Sequence, residues 1–342
     1  MKAMILNQIC DVSKNKTPLS YVDLPKPVPK DREILVKVSV CGLCHTDLDE
    51  IEGRTPPHEL PVILGHQIVG RVETGGEKTG KFKPGDRVGM AWIHSACGRC
   101  KFCRQGQENL CRDFQATGRD APGGYSQYTT VGEDFAYLIP DTFTDSQAAP
   151  LLCAGAVGYR SLRLAGISDG QVLGFYGFGA SAHLVLQAAR HQYRQSEIYV
   201  FARNEGERNF SKELGASWAG EIEERPPKKM DAAIDTTPVW QPVVAALKHL
   251  EPGGRLVINA IRKKDTDKDR LLEIDYAEHL WMEKNLKSVA NVTRKDVSQF
   301  LQVAAEVPIR PEVEEFRLEE ANQGLVEMNE GKIRGAKVLR IE

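Results

Sequence analysis

No stretch of the sequence approaches ~18 consecutive apolar residues, which excludes a membrane-spanning helix. Charge of one sign is missing too: 45 basic and 47 acidic side chains are well mixed and leave a net charge of −2. There is no basic stripe for nucleic acid and no polybasic patch for an anionic lipid surface. The opening residues, Met1-Lys-Ala-Met-Ile-Leu-Asn-Gln, hold no apolar run of signal-peptide length, so a reducing, cytoplasmic setting is expected. No internal repeat or low-complexity segment is found in the 342 residues. An apolar content of 41% and a charged content of 27% suit a soluble chain of two domains.

What the sequence does have is cysteine, eight in all. In a reducing compartment these read as metal ligands or reactive thiols rather than disulfides. The segment Asp31–Val40 has apolar residues on alternate positions, a strand pattern, and it runs into Cys44-His45-Thr46-Asp47. A thiol, an imidazole, a hydroxyl and a carboxylate thus follow one another within a single turn. Two further soft ligands come later, His66 and Cys153. Two thiolates and one imidazole leave a fourth position open, the ligand set of a catalytic zinc.

Short segments punctuated by Gly and Pro, including the rigid connector Pro25-Lys-Pro-Val-Pro29, suggest a small β-barrel for residues 1–150. Within it lies Cys97-Gly-Arg-Cys100-Lys-Phe-Cys103, with Cys111 after seven intervening residues. Four cysteines at this spacing suit a closed tetrahedral zinc, which does no chemistry and staples a polar lobe of about residues 94–113.

From Gln171 the pattern changes. A short apolar run, Gln171–Tyr176, meets Gly177-Phe178-Gly179-Ala180-Ser181-Ala182 and then an apolar-periodic helix. This is the G-x-G-x-x-A dinucleotide turn. Gly177 allows the tight turn, Gly179 a close backbone approach to a pyrophosphate, and Ala182 close helix–strand packing. The helix N-terminus offers free amides to the phosphates. Strand-like and helix-like segments then alternate, which predicts a doubly wound parallel sheet over 151–292. The tail, 293–342, returns to short strands and a helix and is expected to rejoin the first domain.

The ligand triplet, the four-cysteine lobe between its second and third members, and the dinucleotide turn resemble the zinc-dependent alcohol dehydrogenases of the medium-chain dehydrogenase/reductase family. Gly85-Asp86-Arg87-Val88 and Trp92 are similar to that family as well. The resemblance spans essentially the whole chain and implies an α/β fold: a GroES-like β-barrel catalytic domain and a Rossmann cofactor domain. It implies two zinc ions per subunit, one held by Cys44, His66 and Cys153 and one by Cys97, Cys100, Cys103 and Cys111. Thr46 would pass a proton to or from the substrate oxygen, Asp47 would fix the ligand His66, and His45 would contact the cofactor pyrophosphate. Trp92 would line the substrate pocket. Around the Gly177–Ala182 turn, the cofactor set includes Arg203, Asn204 and Arg208 after the second strand and Ala260 and Asn291 near the ends of the last two. The implied partners are a small alcohol or aldehyde and further copies of the chain, as a homodimer or homotetramer, with no nucleic acid and no membrane.

The chain departs from the family pattern at three places. Asp49 stands where a histidine often completes the proton relay, and a carboxylate of pKa near ~4 is a poor base at neutral pH. Gln67 replaces the usual glutamate after His66, which makes the metal slightly more electrophilic. Near the C-terminus, only Lys337 could supply the basic residue expected for the pyrophosphate.

Arg203 occupies the place of the acidic residue that binds the ribose of NAD, and a guanidinium pairs well with a 2′-phosphate, which favours NADP(H). A second reading keeps NAD, with Glu205 acting two residues later. Several side chains likewise admit a plainer role. Cys41 and Cys44 form a C-x-x-C that suits a redox dithiol, or Cys41 is a packed small residue. Cys10 reads as a core thiol, Trp92 as core filler, and Thr46 as a helix cap. His58 and His94 read as loop residues, and His183 as a surface histidine beside the phosphates. A polyol or sugar dehydrogenase using NAD(H) fits the same frame. A zinc-ribbon nucleic-acid module would rest on Arg99, Lys101, Arg104 and Arg112, with only Phe102 between them.

Overall fold

The ten-residue strand Glu33–Gly42 is the hub from which the first part of the molecule is built. Its core-facing side chains include Ile34, Val36 and Val38, while Lys37 points to solvent. Leu35 is buried as well, beside a register shift that breaks the strict alternation of the sequence pattern. Such irregularities bend a strand and let it serve several neighbours. One half pairs with Tyr128–Gly132, the other with Ala336–Arg340, and almost the full length with Gln67–Gly75. The computed structural model describes residues 1–307, 309–332 and 335–342. These divide into two compact units, Met1–Cys153 with Val292–Glu342, and Ala154–Asn291.

In the first unit the hub belongs to a seven-stranded sheet whose order is Ala136–Leu138, Arg87–Met90, Gln67–Gly75, Glu33–Gly42, Ala336–Arg340, Val313–Arg317, with Tyr128–Gly132 beside the hub. A three-stranded sheet of Leu19–Asp23, Lys2–Leu6 and Val62–Ile63 covers part of the same core, into which Met4, Leu6, Ile68, Val88 and Met90 point. This is the GroES-like barrel. The loop carrying the four cysteines springs from the paired strands Ile93–Ser95 and Gln115–Ala116.

The second unit is a six-stranded parallel Rossmann sheet in the order Trp218–Gly220, Glu197–Phe201, Val172–Tyr176, Met230–Asp235, Leu250–Ile258, Asn285–Ser288. Numbered within the unit this is 3-2-1-4-5-6, so the first strand lies where the winding reverses, the place at which doubly wound sheets bind ligands. One strand and one boundary differ from the sequence reading. The strand Trp218–Gly220 has only three residues and carries no periodic signal. The last strand ends at Ser288 rather than Val292, because Asn291 takes a left-handed conformation, φ 53°, and turns the chain away. Among the described residues no helix is long and apolar enough to cross a membrane.

Candidate active site and metal centres

The helix His45–Ile51 begins at Cys44, and a reciprocal cap holds its first turn: Asp47 Oδ2 accepts the Cys44 backbone N–H at 2.8 Å. The cap orients Cys44 at a helix N-terminus, which favours the thiolate. His66 comes from the turn leading into the strand Gln67–Gly75, and Cys153 from a single wide turn of helix at Leu151–Gly155. The Sγ atoms of Cys44 and Cys153 and a ring nitrogen of His66 all lie within 4.8 Å of one another, and His66 Nε2 is 3.3 Å from Cys153 Sγ. Tetrahedral zinc with bonds of about 2.0–2.3 Å needs its ligand atoms roughly 3.5–3.8 Å apart, so the three groups fit the ion. A hydrogen bond from Cys153, with His66 beside it, holds the Cys44 thiol well below its usual range. Burial opposes charge on His66, but Asp47 and Cys44 outweigh it and raise the imidazole well above its ordinary value. The cluster thus favours one anionic sulfur beside a protonated ring, and a metal entering the site would displace that proton.

Behind the ligands, His66 Nδ1 faces Asp47 Oδ1 at 3.4 Å, both side chains fully buried. Thr46 is buried with Oγ1 3.6 Å from Cys44 Sγ. Trp92 is buried and meets the His66 ring edge-on, centroids 5.0 Å apart, while the Arg119 guanidinium lies over its face at 5.6 Å. Gln67 is buried at the start of its strand, and His45 is exposed. Cys41 is a packed thiol: burial pushes it well above its usual range, and it is not joined to Cys44.

The second cluster brings together Cys97, Cys100, Cys103 and Cys111, again with ligand atoms within 4.8 Å and no disulfide. The Cys100 N–H points at Cys97 Sγ (3.4 Å) and the Cys103 N–H at Cys100 Sγ (3.5 Å). The Arg99 and Cys100 amides draw the Cys97 thiol down to about 7. Four inward sulfurs met by backbone amides suit a closed zinc site.

At the dinucleotide turn, Gly177 has φ 82°, and a Cβ there would lie 2.8 Å from Thr237 Cγ2 and 2.9 Å from Thr236 Oγ1. Only glycine fits on both counts. Gly179 caps the helix Ala180–Gln192, and a Cβ on it would meet only open space, which leaves its amide and that of Ala180 free to approach a diphosphate. Ala182 packs in the core. Two side chains of the turn are otherwise engaged. Phe178 is buried edge-on against Phe210, and the Ser181 hydroxyl donates to the Ala154 carbonyl at 2.8 Å and receives Asn259 Nδ2 at 3.3 Å. Their backbones, not their side chains, remain for a cofactor.

Beyond the second strand Arg203 is exposed. Asn204 caps the helix Glu205–Glu213 by accepting the Glu207 N–H at 2.7 Å, and Arg208 donates to the Ala202 carbonyl at 2.9 Å with Glu221 at 3.9 Å. Ala260 and Asn291 are half-buried.

Several sequence expectations are corrected. Lys337 is buried with its ammonium on Glu314 and Glu327, so it has no charge to offer a pyrophosphate. His183 is not a surface residue: it is buried, Nδ1 3.2 Å from the Gly179 carbonyl and its ring tilted over Phe210. His94 is buried too, with Nε2 3.3 Å from the Thr130 carbonyl, whereas His58 is exposed beside Asp120. Cys10 is only half-buried. Asp49 is buried and its carboxylate takes Arg54 Nε at 2.5 Å, an ion pair and not a free base. Sequence reasoning also missed Glu50, fully buried with neither oxygen hydrogen-bonded among the described residues and its carboxyl pushed well up by burial and by Asp47. It missed Tyr125, whose hydroxyl donates to Asp47 Oδ2 at 2.7 Å. The one signal was the pair of glycines before that tyrosine.

Comparison with known proteins agrees with this geometry. The family model described as the alcohol dehydrogenase GroES-like domain matches residues 30–141. A probable alcohol dehydrogenase of Mycobacterium tuberculosis is 42% identical over 329 residues, 95% of this chain and 93% of that protein. The chain belongs to the zinc-dependent alcohol dehydrogenases of the medium-chain family. An alcohol dehydrogenase of Geobacillus stearothermophilus is 32% identical over 351 residues, 100% of this chain and 99% of its own. Among solved structures, a cobalt- and zinc-bound thermostable alcohol dehydrogenase from Pyrobaculum aerophilum superposes with a TM-score of 0.85 at 21% identity, covering 99% of each chain. At that identity the likeness speaks for the fold. This dehydrogenase therefore combines the family's barrel and Rossmann units.

Proposed function

We propose that this alcohol dehydrogenase interconverts an alcohol and its aldehyde or ketone with NADP(H), using one catalytic and one structural zinc per subunit. The observation that carries the metal reading is the convergence of Cys44, His66 and Cys153 within 4.8 Å, with Asp47 behind the imidazole. Bound there, zinc would supply Lewis-acid polarisation of the substrate oxygen, and the nicotinamide would give or take the hydride. The chain's own residues do the rest. Asp47 fixes the tautomer and direction of His66, leaving Nε2 toward the two sulfurs. Thr46, on the first turn of the same helix as Asp47, offers its hydroxyl for the proton. Asp49, locked by Arg54, does not serve as the relay base. Trp92 walls the ligand histidine with an apolar, aromatic surface.

The cofactor preference rests on Arg203. It is exposed just past the strand Glu197–Phe201 and has no ion-pair partner among the described residues, so its charge is available to a 2′-phosphate. A preference for NADPH leans the physiological direction toward aldehyde reduction. Initial rates of reduction of a simple aromatic aldehyde are expected to favour NADPH over NADH. Arg203→Asp is expected to shrink the preference by about 10- to 100-fold, the worth of one charge-assisted contact of ~1.5–3 kcal/mol. Faster reduction with NADH in the wild type would shift the assignment to Glu205 and NAD. Turnover of polyols alone would favour the sugar dehydrogenase reading.

Self-association is the remaining part of this reading. The strand Asn285–Ser288 is an edge of the parallel sheet, and all four of its residues are exposed. Tyr276, Leu280, Trp281, Met282 and Leu286 are exposed in the same stretch. An uncovered edge with an apolar border pairs readily with a second copy across a two-fold axis. Light scattering is expected to give a dimer or a multiple of it, and Leu286→Lys to yield monomer. A monomeric wild type would overturn this part and leave the chemistry untouched.

A further inference from the structure

Asp47 and His66 must meet at the metal centre, yet they belong to separate elements, the helix His45–Ile51 and the turn before the strand Gln67–Gly75. Their own contact is only the 3.4 Å approach of Oδ1 to Nδ1. Tyr125 touches both sides. Its backbone N–H donates to the Leu64 carbonyl at 3.0 Å, and the two glycines before it extend the seam: Gly124 N–H to Gly65 O at 2.9 Å and Gly123 N–H to Ile63 O at 2.8 Å. Its ring packs against Gly65, where a Cβ would come within 2.4 Å of Tyr125 Cδ1. Gly65 is the residue before the ligand His66. From this anchored backbone the side chain reaches across and donates its hydroxyl to Asp47 Oδ2 at 2.7 Å.

We infer that Tyr125 is the positioning residue that sets the Asp47–His66 pair and thereby holds the catalytic metal. The inference rests on the metal reading of the Cys44, His66 and Cys153 centre. Three observations support it. First, Asp47 Oδ2 takes two donors, the Tyr125 hydroxyl and the Cys44 N–H, so the carboxylate plane is fixed with Oδ1 left over for His66. Without the hydroxyl, only the Cys44 N–H would restrain it. Second, Tyr125, Asp47 and His66 are all 0% exposed, so water does not compete for the oxygens. Third, burial keeps the tyrosine hydroxyl protonated by pushing it well above its usual range, so it donates throughout the neutral region. The Tyr125–Asp47 hydrogen bond, by setting the carboxylate whose Oδ1 lies 3.4 Å from His66 Nδ1, then fixes which ring nitrogen faces Asp47 and hence which one faces the sulfurs.

The test is Tyr125→Phe, which removes one oxygen and keeps the ring that covers Gly65. Metal release to a chelator would be followed at both centres, because loss of an outer hydrogen-bond partner weakens metal binding by about tenfold or more. Release from the Cys44–His66–Cys153 centre is expected to quicken by ~10-fold. Release from the Cys97–Cys111 centre is expected to match wild type, and the melting temperature of the metal-stripped protein to fall by no more than the loss of one buried hydrogen bond explains. Equal release rates in variant and wild type would overturn the inference. So would faster release at both centres together with a larger fall in the melting temperature of the stripped protein, since that is a general loosening of the barrel. Failure of the metal reading itself looks different: wild-type protein would then hold a single equivalent of zinc.

Discussion

His66→Ala is expected to lower turnover by at least ~10³-fold while leaving a folded protein. The imidazole is the one nitrogen among the three converging ligands. Without it two thiols remain, too few to hold zinc against a chelator at the geometry the reaction needs. Lewis-acid stabilisation is worth several kcal/mol, and each 1.36 kcal/mol is a factor of ten, so ~5 kcal/mol corresponds to roughly 10³–10⁴. The variant also leaves Asp47 Oδ1 buried with nothing to face and removes the ring that Trp92 meets edge-on. A modest loss of stability in the barrel should accompany the loss of rate. Zinc content should fall from two equivalents to one, because the Cys97, Cys100, Cys103 and Cys111 centre is untouched. Turnover within tenfold of wild type would mean that the three residues do not form the reaction centre, whatever their proximity.

How much of this was readable in advance depended on whether the information was local. The ligand cysteines and His66 stood out because few other chemistries need those residue types in that order, and the fold brings together both groups. The Gly177–Ala182 turn was legible for a similar reason: a left-handed glycine between a strand and a helix has a backbone purpose that no tertiary partner alters. Residues whose role depends on what the fold sets beside them were not legible. Lys337 looked like a free cation and is neutralised by two glutamates on other elements. Asp49 looked like a weak relay base and is locked by Arg54. His183, Ser181 and Asn204 sat in the right segment for a cofactor, yet the side chains of His183 and Asn204 bond to their own turn and helix, and that of Ser181 to Ala154 and Asn259. Tyr125 is the clearest case. Its hydroxyl bonds to Asp47, 78 positions away, and the two glycines before it are the only local hint. The short strand Trp218–Gly220 was invisible for the opposite reason, having too few residues to carry a period.

The four-cysteine lobe carries the second large effect. Its apolar support is small: Trp92, Ile93 and Ala116 form the nearest buried cluster, and all of them lie at the base. Cys97, Cys100 and Cys103 are only half-buried. Ordering a loop costs roughly 1–2 kcal/mol per residue, which so little apolar burial does not offset, so the lobe's order depends on the metal. An ion pair adds a tie. Glu108, in the lobe and 2% exposed, accepts the Arg294 backbone N–H at 2.7 Å and its Nε at 3.0 Å. That contact fastens one side only and cannot order the loop around the cysteines. Cys103→Ser is therefore expected to lose one zinc and to open the lobe while the Rossmann unit, Ala154–Asn291, keeps its own core. The lobe contains Arg99, Lys101, Arg104 and Arg112, so trypsin reads its opening directly. A local loss of even ~3 kcal/mol raises the open population on the order of a hundredfold, and cleavage should quicken in proportion. Activity should fall as well, because Trp92 at the base of the lobe packs on His66. A Cys103→Ser protein that keeps two zinc ions and resists trypsin would show that apolar packing and the Glu108–Arg294 tie are enough.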